Sequence, residues 1–328
     1  MTRPRLQPLT TFLALRGVFV CAAKAAQRSA SAPALKGTLA VACCLGLISE
    51  ADALLVSLEE PAPPNALAQI ETRTGTPYPY GFFRWEADGI PHLNRQWFWY
   101  RIGLPEERNL GDLSHPPSPP INDTNANSYD DELDVRYVDP DGLEIRTVFR
   151  LRGDGPGTRA STMTETITVR NTGPGATTVF FYAYADFDLE ANGADDQLEL
   201  TGASGESIHQ EDPNFVMTQA ITGTLPTQFE ADLLDGTNDL VPRLDDALST
   251  TLSNFAGPLA GNGTYAHRWD LALGPSGSPT DSATFQIVKR IEPRPTPPVP
   301  VGAPSFGWTL AIALSATGLW AARLQTRD

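Results

Sequence analysis

The sharpest chemistry in the sequence lies in Asp188-Leu189-Glu190-Ala191-Asn192-Gly193-Ala194-Asp195-Asp196-Gln197-Leu198-Glu199. Counting from Asp188, oxygen donors fall at the first, third and fifth positions, a glycine at the sixth permits a sharp turn, and a glutamate closes the run at the twelfth. Calcium takes roughly six to eight hard oxygens, and alternate residues of a tight loop converge on one point. The expected ligands are the side chains of Asp188, Glu190, Asn192, Asp196 and Glu199 and the carbonyl of Ala194. Glu190 stands where Asp or Asn is usual, and Asp195 where an apolar residue is usual. A solvated acidic hairpin turn is the competing reading.

A second run, 123–131, repeats the alternation without a glycine, and Asn/Asp-rich loops also arise for turn reasons alone. In Trp97-Phe98-Trp99-Tyr100-Arg101, the rings of Trp97 and Trp99 could stack on a sugar with Arg101 at the rim. The same run could instead fill a sandwich core from both faces, its commoner use. Asp186 and Asp188 share one strand face, where paired carboxylates do not straddle a glycosidic bond. His92, His115, His209 and His267 lack a paired zinc spacing, and there is no nucleophile elbow, phosphate loop or dinucleotide fingerprint. No catalytic residue and no cofactor other than Ca2+ is assigned.

Strands must position these groups. Ile145, Thr147, Phe149 and Leu151 alternate with Arg146, Val148, Arg150 and Arg152, and Met163, Glu165, Ile167 and Val169 alternate with a threonine ladder. Asn171-Thr172-Gly173-Pro174-Gly175 leads into 177–188, whose VFFYAYA centre is apolar on both sides and is therefore central in its sheet. Further strands are expected at 81–85, 96–102, 133–138, 215–220, 267–273 and 283–291, with Asp139-Pro140-Asp141-Gly142 as a hairpin turn. Residues 226–234 and 242–252, each with Pro at a first-turn position, read as helical, and 115–127 as a long loop. The fold class is all-β: an antiparallel β-sandwich over 72–291 with one short helical insertion, preceded by a linker at 54–71.

The ends are addresses. Six basic residues and no acidic one precede residue 37, followed by GTLAVACCLGLIS and Ala51-Asp52-Ala53. Residues 1–53 therefore read as a signal peptide cut after Ala53, with Ala51 and Ala53 as the small residues of the site; an anchor that stays in place is the alternative. All three cysteines precede that cut. Between 54 and 305 there are 16 Lys plus Arg against 36 Asp plus Glu, a balance that repels nucleic acid. Residues 292–305 form a Pro-rich stem, and 306–322 are uncharged before Arg323 and Arg327, the lower bound for a membrane-spanning helix.

Two resemblances follow. The tail, with Val299, Pro300 and Trp308 ahead of TLAIALSATGLWAARL and the basic Arg323, resembles PEP-CTERM and IPTL-like sorting signals, though it lacks Pro-Glu-Pro and its basic cluster is sparse. That resemblance implies, besides signal peptidase, an exosortase-like membrane protease that processes 306–328; otherwise the tail is a plain anchor. The body, through Trp97 to Gly103, 165–171, Tyr184-Ala185-Asp186-Phe187-Asp188, His267-Arg268-Trp269-Asp270 and Phe285 to Lys289, is similar to uncharacterised exported bacterial proteins with a mutarotase-like sandwich. It brings no catalytic residue with it. The expectation is an exported protein, anchored in the membrane of the cell envelope or shed, binding calcium or extracellular polysaccharide. The alternative is a carbohydrate-active enzyme on the same sandwich.

Overall fold

Strand periodicity decides the architecture. The structure, a computed structural model, describes residues 55–60, 65–74, 80–103, 106–116, 118–236, 239–246 and 248–295. The signal segment with Ala51 and Ala53, and the tail with Val299, Pro300, Trp308 and Arg323, lie outside the described residues. No helix among the described residues is long and apolar enough to cross a membrane.

The strands are β1 Leu55–Glu60, β2 Ala66–Glu71, β3 Gly81–Ala87, β4 Ile90–Pro91, β5 Leu93–Ile102, β6 Arg108–Asn109, β7 Ile121–Asn122, β8 Glu132–Asp139 and β9 Leu143–Gly153. They continue with β10 Ser161–Asn171, β11 Thr177–Phe187, β12 Gln197–Thr201, β13 Ser207–Glu211, β14 Phe215–Gly223, β15 Gln228–Leu233, β16 Leu259–Ala260, β17 Gly263–Leu273 and β18 Ser282–Pro293; among the described residues the one α-helix is α1, Leu240–Leu244. They form two antiparallel sheets. The first runs β1-β2-β3-β5-β11-β17-β15, with β4 on β3 and β6 on β5, and the second runs β16-β12-β13-β14-β18-β10-β9-β8-β7.

The expected alternation is realised. Ile145, Phe149 and Leu151 are buried while Arg146, Arg150 and Arg152 are exposed, and Met163, Glu165, Ile167 and Val169 are buried beneath the threonine ladder. β11 lies between β5 and β17, and residues 181 to 187 are all buried. Rings close the gap between the sheets: Phe181 of β11 meets Phe98, Trp269 and Phe285 at 5.5, 6.1 and 5.6 Å, and Trp269 stacks on Phe285 at 4.2 Å. Each such ring, fully buried, stabilises by about 1.5–3 kcal/mol.

One polar staple crosses that apolar layer. Lys289 Nζ donates to Glu165 Oε1 and to Gln96 Oε1, each at 2.5 Å, and Gln96 Nε2 donates to Glu165 Oε2 at 2.8 Å. Burial pulls the lysine below its usual pKa, with Glu165 opposing that shift.

Five segments differ from the sequence expectation. Residues 54–71 read as a linker, yet Val56 and Leu58 of β1 and Ala66, Ala68 and Ile70 of β2 alternate inward, and the two strands pair as a hairpin on the first sheet. Residues 226–234 read as helical, yet β15 occupies 228–233, because Phe229 and Ala231 face inward once the segment pairs with β17. The helix at 242–252 shrinks to α1: Leu244 and Leu252 are buried but Leu248 is 69% exposed, so no single helical face carries all three. Within 115–127, β7 pairs with β8. The sandwich also reaches past 291, since β18 ends at Pro293.

Candidate functional site

The loop after β11 is two short 3-10 turns, Leu189–Ala191 and Gly193–Asp195, and the strands β11 and β12 flank it. Glu190 and Ala191 sit at φ 55° and 57°, a left-handed conformation costly for residues with a side chain. Along that path the expected ligands make separate contacts. Glu190 Oε2 accepts from Asn214 Nδ2 at 2.7 Å, and the exposed Asn192 donates to Asp195 Oδ1 at 2.9 Å. Ala194 is exposed, and Glu199 points outward from β12. Among the described residues, no three His, Cys, Asp or Glu side chains gather as a metal ion would need.

Asp188 and Asp196 go elsewhere. Asp196 is fully buried: its Oδ2 accepts from Gln210 Nε2 at 2.6 Å and from the Leu189 amide at 3.4 Å, while Oδ1 has no donor. Burial pushes its pKa up to about 7, with Asp212 and Asp188 adding repulsion. Asp188 Oδ1 likewise lacks a donor, and burial raises its pKa. Asn262, in the turn between β16 and β17, brings a third buried oxygen without a donor. A Cβ on Gly193 would stand 2.5 Å from Asp188 Oδ1 and 2.9 Å from Asn262 Oδ1, so both oxygens crowd one point.

The second acidic run is closed by its own bonds. Asp123 accepts from the amides of Asn127 and Ser128, Asp131 accepts from Thr124, and Asn125 and Asn127 donate to Glu60.

The aromatic run is sealed. Trp97 and Trp99 have no exposed surface and Arg101 only 6%. Trp97 Nε1 donates to Asn109 Oδ1 at 2.8 Å. Because Phe98 and Phe181 face the second sheet, Trp99 and Tyr182, their neighbours in the pleat, face away from it. That outer face is covered by the described residues of the segment 239–256. Trp99 Nε1 donates to Asp245 Oδ1 at 2.7 Å, and Tyr182 Oη donates to the Thr250 carbonyl at 2.9 Å. The Thr250 amide donates to Glu107, which pairs with Arg101 Nε at 3.0 Å, and the Arg101 guanidinium lies 3.7 Å from the Phe180 ring centroid. Arg243 pairs with Glu230 at 2.7 Å, and the Leu252 and Ser253 amides donate to Gln228 and Glu230.

The histidines do not converge. His267 lies between the sheets, donates Nε2–H to the Gly205 carbonyl at 2.8 Å, and is pushed down to a pKa of about 4 by burial. His209 stands on β13, half exposed, 3.3 Å from Glu211. Around His267 only a cavity of about 10 Å³ remains, with Lys289, Gln96 and Tyr265 in its wall. A depression of about 310 Å³ beside 176–178 and 272–274 carries no acidic or basic side chain.

The sequence matches no protein-family model and no curated protein. Among solved structures, the chain is similar to a bacterial glucoamylase complexed with acarbose, with a TM-score of 0.50 and 9% identity over 72% of this chain and 32% of that one. It thus spans about a third of that protein. The likeness is one of fold. A putative aldose 1-epimerase from Escherichia coli K12 aligns at TM-score 0.44 and 10% identity over 74% of this chain and 99% of that one. A galactose mutarotase-like protein from Lactobacillus casei aligns at 0.30 and 11% over 74% and 100%.

Proposed function

We propose that this protein is an exported β-sandwich, displayed on or shed from a bacterial envelope, that works by binding calcium and not by catalysis. One observation carries the second half of that reading: the aromatic outer face of the first sheet, where a sugar would stack on Trp99, is filled by the chain's own residues 239–256 through Asp245 and Thr250. A sugar-processing site there would first have to displace Tyr182, Glu107 and Glu230 from their partners in that segment. Export is supported by the basic, apolar and small-residue order of 1–53.

Mass spectrometry of the native protein, with fractionation of the cells, tests the export reading. The account expects a chain beginning at Leu54 in the envelope or the medium, lacking the segment after Phe306 if the tail is sorted. A cytosolic chain beginning at Met1 would contradict it. Turnover of an aldose or a glycoside by the purified protein would transfer the reading to a carbohydrate-active enzyme.

A further inference from the structure

We propose that Asp188, Asp196 and Asn262 together hold one calcium ion at the end of the sandwich where β11 leaves the first sheet, in place of the contiguous ring 188–199. The inference rests on the calcium part of the reading above and names its donors.

The observations are oxygens that want a positive partner. Asp188 Oδ1, Asp196 Oδ1 and Asn262 Oδ1 are buried acceptors without a donor. Such an atom forfeits its hydration without compensation, a cost that is larger for a charged group. Gln210 adds an independent sign. Its side chain is fully buried, its Nε2 is spent on Asp196 Oδ2 and the Phe187 carbonyl, and its own Oε1 has no donor. Asp196 is tied to the peptide that follows Asp188, because its Oδ2 accepts from the Leu189 amide at 3.4 Å, so both carboxylates belong to one turn of the loop. No lysine or arginine side chain bonds to Asp188, Asp196 or Asn262 among the described residues.

Donor chemistry selects the ion. Carboxylate and amide oxygens, without sulfur or imidazole, suit a hard cation, and calcium tolerates an irregular shell completed by carbonyls and water better than magnesium does. Two carboxylates would neutralise a divalent charge. The fold supplies the third oxygen from far along the chain: Gln197 pairs with Ala260, and the Gly261 amide donates to the Asp196 carbonyl at 2.8 Å, which brings Asn262 beside the loop. Gly193 completes the arrangement, because any side chain there would enter the space between Asp188 and Asn262.

Isothermal titration of the purified protein with calcium chloride, followed by melting in chelator, tests the assignment. One site is expected in the parent. Asp188→Asn, Asp196→Asn and Asn262→Ala should each weaken it by about tenfold or more, whereas Glu190→Gln, Asn192→Ala and Glu199→Gln should leave it unchanged. In chelator, Asp196→Asn should melt at or above the parent, because a buried unpaired charge has gone, and calcium should no longer raise its melting temperature. Loss of affinity in Glu190→Gln, Asn192→Ala and Glu199→Gln, with binding intact in the first three variants, would overturn these donors and leave calcium to the contiguous loop. No heat from the parent at millimolar calcium would remove both. A lower melting temperature of Asp196→Asn in chelator, with affinity retained, would make Asp196 a structural residue only.

Discussion

Trp99 and Asp245 are joined across the outer face of the first sheet, indole Nε1 to carboxylate Oδ1 at 2.7 Å. The same carboxylate accepts from Tyr80 Oη through Oδ2 at 3.0 Å, so one side chain of the covering segment clasps two aromatic residues of the body. This aromatic face of the first sheet is therefore used to fasten the chain's own covering segment.

Trp99→Phe removes that donor and leaves a gap where the larger ring was. The variant should lose about 2–4 kcal/mol of stability, read by denaturant unfolding. Limited proteolysis should cut within 243–253 sooner than in the parent.

Lys289 and Glu165 form an ion pair with almost no exposed surface. Lys289→Met strands the carboxylate and should cost about 3–5 kcal/mol. Adding Glu165→Leu should recover much of the loss, although the Gln96 amide then lacks its partners. Chemical denaturation of both single variants and the double variant gives the coupling.

The pH dependence of stability should carry a mark of His267. Its folded pKa, about 4, lies below the ordinary 6.5, because burial disfavours the imidazolium; Lys289 pushes the same way, while Glu206 and the bond to the Gly205 carbonyl oppose it. Tyr265 and Trp269 flank the ring. Below pH 6.5 the unfolded chain takes a proton that the folded protein refuses until about pH 4, so this contribution is whole above 6.5 and is lost as the pH falls through that window. The slope for one such group is about 1.4 kcal/mol per pH unit. Between pH 6.5 and 4, His267→Gln should therefore show a stability curve less steep on the acid side than the parent, and the difference between the two isolates this histidine from aspartates titrating nearby. Parallel curves would show that the ring is not held neutral by burial.

Gly193→Ala leaves every oxygen in the loop untouched while putting a methyl group at the point that Asp188 and Asn262 share. Calcium affinity should fall by about tenfold or more, with a smaller effect on melting in chelator than on melting in calcium.

Much of this was legible in the sequence, and the misses have physical causes. The phase of β9 and β10 is written in their alternation, which places Glu165 inward with Met163 and Ile167; its partner Lys289, inward on β18 with Phe285 and Ile287, emerges only from the pairing of β10 with β18. β15 was hidden because its pattern becomes a strand only when β17 supplies an edge. β1 and β2 are six-residue strands separated by a Pro-rich step, which carries the composition of a linker. In the loop after β11, Asp188 and Asp196 are visible as acidic residues, but Asn262 has no signal of its own: it arrives through the pairing of β16 with β12. The covering of Trp99 is equally non-local, since Asp245 is 146 residues away.

Hydrogen–deuterium exchange at the amides of Thr250, Leu252 and Ser253 tests the central claim most directly, because each donates to a side chain of the body. If segment 239–256 is a fixed part of the sandwich, these amides exchange slowly, at a rate that mono- and oligosaccharides do not alter. Fast exchange that a sugar changes would make the segment a lid over a carbohydrate site and contradict the account.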